Sequence, residues 1–124
     1  MFEFPKNQKL CNEKSIERLF ENGDSLSKKP LRIIYNIDNN DENVFVKSLI
    51  VVPKKRVRLA SDRNVIKRRI NEAYRLQKSE LEKYLKSNNC QLNLAIIYQQ
   101  NKIVDYKIIA EKIKLLLTRL KEEL

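Results

Sequence analysis

The chain has 124 residues, 42% of them hydrophobic and 34% charged, with one Gly and three Pro. This is the composition of one globular domain over 1–124, too apolar for a disordered chain and too poor in Gly and Pro for a linker. There is no His and a single Gly, which excludes Ser-His-Asp and Cys-His nucleophiles, histidine acid–base chemistry, the P-loop and the dinucleotide fingerprint. If the chain works within an enzyme, much of the chemistry comes from another component. Its 26 Lys and Arg outnumber 16 Asp and Glu, for a net charge of +10, a balance that attracts nucleic acid or an anionic membrane surface.

No apolar run approaches the ~20 residues of a membrane span. The opening Met1-Phe2-Glu3-Phe4-Pro5-Lys6 lacks a secretory apolar region. Cys11 and Cys90 have no C-x-x-C spacing and read as buried or half-buried thiols of a reducing cytoplasm rather than as a bridge. The expected location is the cytoplasm, without a membrane partner.

In chain order, residues 12–22 suit a short helix. Asn12 caps it, Ile16, Leu19 and Phe20 share a side, and Gly23 follows the last turn as a left-handed terminator. Leu31 to Ile37 places Leu31, Ile33, Tyr35 and Ile37 on one face of a strand. The polar turn Asp38-Asn39-Asn40-Asp41 leads to a second β-rich run, Val44 to Val52, so a hairpin is expected, ended by Pro53. Ser61 or Asp62 then caps a helix to about Gln77, and a second short helix runs from Glu80 to Lys86. Leu92 to Tyr98 alternates as a strand. Asp105 caps a final helix with an apolar stripe of Ile109, Ile113, Leu116, Leu117, Leu120 and Leu124. Three strands interleaved with helices imply an α+β sandwich, a small mixed sheet packed with helices.

The charge is concentrated. Ten basic residues lie between Lys54 and Lys78 against only Asp62 and Glu72, so this segment holds +8 of the total +10. At about 100° per residue, Arg63, Asn64, Lys67, Arg68, Asn71 and Arg75 fall on one side of the helix, and Ile66, Ile70, Ala73 and Gln77 on the adjacent side. The loop residues Lys54, Lys55, Arg56 and Arg58 extend the cationic row. A solvated helix face ordinarily mixes its signs, and the arginine fork suits phosphate. Nucleic acid is the expected partner. A structural RNA-binding protein of ribosomal type and a DNA-binding regulator both fit this pattern, although no helix-turn-helix spacing is present. Asp62 and Glu72 read as a cap and an intramolecular partner, not metal ligands. Tyr74, between the two sides, reads as a packing residue with a solvated hydroxyl.

The run Asp62-Arg63-Asn64-Val65-Ile66-Lys67-Arg68-Arg69-Ile70-Asn71-Glu72-Ala73-Tyr74-Arg75 resembles the arginine-rich signature of bacterial ribonuclease P protein subunits. That signature reads Arg-Asn-x-x-Lys-Arg-x-x-Arg-Glu-x-aromatic-Arg. Arg63, Asn64, Lys67, Arg68, Glu72, Tyr74 and Arg75 hold matching places, whereas Val65 and Asn71 stand where many members carry further arginines. Val52-Pro53-Lys54-Lys55, Phe4-Pro5-Lys6 and Phe20 before Asn22-Gly23 are similar to flanking parts of the family pattern.

The resemblance implies a ribosomal-protein-like sandwich with a four-stranded sheet and a left-handed β-α-β crossover. It implies an auxiliary subunit, inactive alone, that binds a catalytic RNA 1:1 as a monomer. Mg²⁺ held mainly by that RNA, and not by the protein, would promote removal of the 5′ leader from precursor tRNA. RNA-binding residues would be Lys54, Lys55, Arg56, Arg58, Arg63, Asn64, Lys67, Arg68 and Arg75. A leader-binding cleft between the first helix and the sheet would use Ile16, Phe20 and Tyr35, with aromatic faces stacking on unpaired bases. Phe20 suits either this cleft or the core.

Overall fold

The computed structural model describes residues 9–39 and 44–124. The Phe4-Pro5-Lys6 stretch and the Asn40-Asp41 half of the expected turn lie outside these residues. The element order is α1 (Glu13–Asn22), β1 (Asp24–Lys28), β2 (Leu31–Ile37), β3 (Val46–Val51), α2 (Ala60–Ser87), β4 (Leu92–Tyr98) and α3 (Tyr106–Glu123). The four strands form a mixed sheet in the order β1-β2-β4-β3, which makes the fold the expected α+β class.

The expected hairpin of β2 with β3 does not form. β2 pairs antiparallel with β1 and with β4, and β3 pairs in parallel with β4. A parallel pair requires a long crossover, and α2 supplies it between β3 and β4. β1 escapes sequence detection because Asp24-Ser25-Leu26-Ser27-Lys28 holds one apolar residue. It is an edge strand with four of its five residues exposed, and polar edges resist pairing with other chains.

α2 is also one helix of 28 residues where two were expected. Leu81 and Leu85 continue, at four-residue spacing, the stripe of Ile66, Ile70, Ala73 and Tyr74, and all six are buried. That apolar face, joined to α3 by Gln77 Nε2 donating to Ala110 O at 3.2 Å, outweighs the capping tendency of Ser79. The helix starts earlier than expected, after Leu59, with no side-chain cap, and Asp62 lies in its first turn. It ends at Asn88, followed by Asn89 in the left-handed region at φ 49°, which Asn tolerates.

The sheet carries helices on both faces. Odd-numbered β2 residues Leu31, Ile33 and Tyr35 join Leu92, Leu94, Ile96 and Tyr98 of β4 in the main core beneath α2 and α3. On the opposite face α1 seats Leu19 on Ile34 and Ala95, with Leu10 alongside. The period-two pleat alone decides which face a strand residue meets. Asn12 caps α1 as expected, its Oδ1 accepting from Ser15 N at 3.1 Å.

Gly23 is not left-handed, with φ −73° and ψ 151°. It is required by close approach. A Cβ there would collide with Leu19 O and lie 2.7 Å from Ile34 Cγ2. The single glycine lets the end of α1 drop directly onto β2.

Candidate nucleic-acid interface

α2 sorts its residues by face. Ile66, Ile70, Ala73 and Tyr74 are buried, while Asn64, Lys67, Arg68 and Arg75 are exposed. Tyr74 is a correction to the expected solvated hydroxyl. Its Oη lies 2.8 Å from Ser48 Oγ of β3, and both residues are buried. Burial pushes the Tyr74 phenol well above its ordinary pKa.

The cations divide by role. Arg63 turns back from the outer face, and its Nη1 donates to Val57 O at 3.0 Å and Arg58 O at 2.7 Å. Val57 is buried, and its N–H and that of Arg56 both donate to Pro53 O. Lys54, Lys55, Arg56 and Arg58 are therefore exposed side chains on a turn held by one apolar anchor and one guanidinium. Arg75 pairs with Glu72 through Nε–Oε2 at 3.2 Å and Nη2–Oε1 at 2.5 Å. The guanidinium holds the Glu72 carboxyl below its ordinary range. Lys67 and Arg68, with the 54–58 turn, are the fully outward part of the row. Arg69, absent from the sequence-derived set, donates from Nη1 to Val104 O at 2.8 Å and so ties α2 to the start of α3.

The second expected site is divided by the sheet. Ile16 and Phe20 lie one turn apart on α1, and Phe20 is 44% exposed, so it is not a core residue. Tyr35 belongs to the other face, 7% exposed in the main core. Burial first, then the Asp24 and Glu123 carboxylates, raises its pKa. The structure does not bring Tyr35 to Phe20, because an odd position on β2 points away from α1.

The residues that do share the α1 face follow from register. Arg32 aligns with Ile97 and Ile97 with Val51, and the next row is Ile34, Ala95 and Leu49. Arg32, Leu49, Val51 and Ile97 are half-buried. Sequence reasoning missed this set, although the alternation of β2 contained the signal once the location of α1 is known. Ile16, Leu49 and Ile97 pack there with Leu19, Ile34 and Ala95, a partly apolar shelf with Arg32 in the neighbouring row.

Among the described residues no three His, Cys, Asp or Glu side chains gather as a metal site; both cysteines are free, Cys90 half-buried as expected and Cys11, against expectation, exposed on the residues before α1. No helix among them is long and apolar enough to cross a membrane.

The family model described as Ribonuclease P matches residues 4–121. The ribonuclease P protein component of Porphyromonas gingivalis is 28% identical over 119 residues, covering 96% of this chain and 87% of the relative. That of Chlorobaculum tepidum is 34% identical over 102 residues, covering 77% and 66%. The fold is similar to the Staphylococcus aureus RNase P protein, with TM-score 0.72, 23% identity and coverage of 92% and 95%. It is also similar to the RNase P protein from Thermotoga maritima, with TM-score 0.70, 22% identity and coverage of 90% and 96%.

Proposed function

We propose, since the chain belongs to the ribonuclease P protein family, that its two faces bind two different RNAs. The outward face of α2 and the 54–58 turn dock on the catalytic RNA of the complex. Lys67, Arg68, Lys54, Lys55, Arg56 and Arg58 meet phosphates, with Asn64 beside them. Arg63 acts mainly by holding the turn, and Arg75 contributes together with Glu72. The observation that carries this reading is the segregation of α2: an apolar stripe inward, broken at Gln77, and a cationic row outward. Such a row loses its repulsion when it meets phosphates.

The α1 face takes the single-stranded 5′ leader of precursor tRNA. Phe20 offers a ring to an unpaired base, Ile16, Leu49 and Ile97 an apolar bed, and Arg32 a charge for the leader backbone. Tyr35 has no part in it. Magnesium ions held by the RNA supply the hydrolytic chemistry. The protein aligns substrate and catalyst, works as one copy per RNA in the cytoplasm, and does not cleave by itself.

Binding of leader-bearing precursor tRNA and of mature tRNA to the reconstituted complex tests this reading. Phe20→Ala should weaken only the former, by about 1–3 kcal/mol. Equal losses for both, or cleavage by rigorously RNA-free protein, would contradict it.

A further inference from the structure

One groove beside the cationic row is not explained by phosphate binding. Val65, Arg68, Arg69 and Glu72 of α2, spaced so that they share a flank, face Tyr106 at the start of α3 around about 260 Å³ of open space. Its position is well fixed. The body of Tyr106 packs against the main core, and Arg69 is anchored on Val104 O two residues upstream. Its chemistry is mixed. Tyr106 and Val65 give apolar walls, Arg68 gives an exposed guanidinium, and Glu72 places beside them a carboxylate that Arg75 holds through both oxygens. A carboxylate so paired keeps lone pairs that can accept from the amino group of a base, and an aromatic wall gives that base a stacking partner.

We infer that this groove binds a single unpaired nucleobase of the RNA docked on α2, stacked on Tyr106 with Arg68 on the adjoining phosphate. The inference rests on the reading of α2 as an RNA-binding face and adds to it the form of RNA selected. A continuous A-form duplex keeps its bases out of reach of such a pocket, whereas a bulge presents one. Val65, the small apolar residue in a cationic row, leaves the space that the base fills.

The test uses the full chain and two short RNA hairpins, one carrying a single bulged fluorescent adenine analogue and one fully paired. Wild type should prefer the bulged hairpin by roughly tenfold, the scale of one aromatic stack, and should quench the analogue. Tyr106→Phe should keep both properties. Tyr106→Ala should lose both while binding the paired hairpin as before. Val65→Arg, which fills the groove from a half-buried position, should also abolish the preference without weakening the paired hairpin. Equal wild-type affinities, or a preference that survives Tyr106→Ala and Val65→Arg, overturns the base pocket. In that case the cationic face still stands if Arg68→Ala weakens both hairpins. If Arg68→Ala affects neither, both readings fall.

Discussion

Tyr74 of α2 and Ser48 of β3 share a hydrogen bond of 2.8 Å inside the core, at 0% and 1% exposure. It fixes the crossover helix against the strand from which it departs. Tyr74→Phe strands a buried hydroxyl on Ser48 and should cost about 1–3 kcal/mol of stability. Burial of the phenol, which outweighs the opposing effect of the Ser48 bond, carries a pH signature. The folded-state pKa is raised, so above the ordinary tyrosine value of about 10 the unfolded chain releases a proton that the native chain retains. Stability should therefore fall as pH rises beyond that value. Tyr35 and Tyr98 are shifted in the same direction by burial, so Tyr74→Phe should remove only part of the alkaline slope in a melting series. An unchanged slope would contradict the buried geometry.

The two faces of α2 should separate in stability measurements. Ile66→Ala or Ile70→Ala, at residues with no exposure, should each cost about 2–5 kcal/mol. Arg68→Ala should shift the melting temperature very little. The opposite ranking would mean that the helix is rotated.

Gly23→Ala tests the close approach of α1 to β2. The backbone there is of ordinary sign, so an alanine is disfavoured only by collision with Leu19 O and Ile34 Cγ2. Overpacking of this kind should cost about 1–3 kcal/mol, read by chemical denaturation. Stabilisation by Gly23→Ala would refute it.

Much of this was legible beforehand, and the failures have identifiable causes. The apolar stripes of α2 and α3 predict their buried residues well, because a 3.6-residue period over many turns is a strong signal. β1 was invisible because one leucine among polar residues has no period. The β2–β3 hairpin failed because adjacency in sequence says nothing of a crossover that inserts β4 between them. The resemblance implies Tyr35 in the α1 cleft, but its odd position on β2 turns it into the core under α2 and α3; a strand's alternation gives two faces without saying which one a given helix covers. Gly23 stands out in the sequence as the single glycine after a helix, but what requires it is close contact with β2, and contact across elements is not a local property. Arg63 looked like its neighbours in the cationic row, and only its two carbonyl partners distinguish it.

Arg63 should accordingly behave unlike Arg68. Removing its bonds to Val57 O and Arg58 O frees the 53–58 turn, so Arg63→Ala should lower stability by about 1 kcal/mol. Hydrogen exchange at Arg56 and Val57, whose N–H groups donate to Pro53 O, should quicken. Unchanged protection at both amides would assign Arg63 to the outer face after all.

The most direct measurement is the salt dependence of assembly between the protein and its ribonuclease P RNA, for wild type, Arg68→Ala and Phe20→Ala. Each lost phosphate contact reduces the slope of log affinity against log salt by somewhat under ~1. Arg68→Ala should flatten the assembly slope by that amount while the protein melts normally, and Phe20→Ala should leave the assembly slope unchanged. A wild-type slope retained by Arg68→Ala, or a slope flattened by Phe20→Ala, would contradict the division of the molecule into a phosphate-binding helix face and a separate leader-binding shelf.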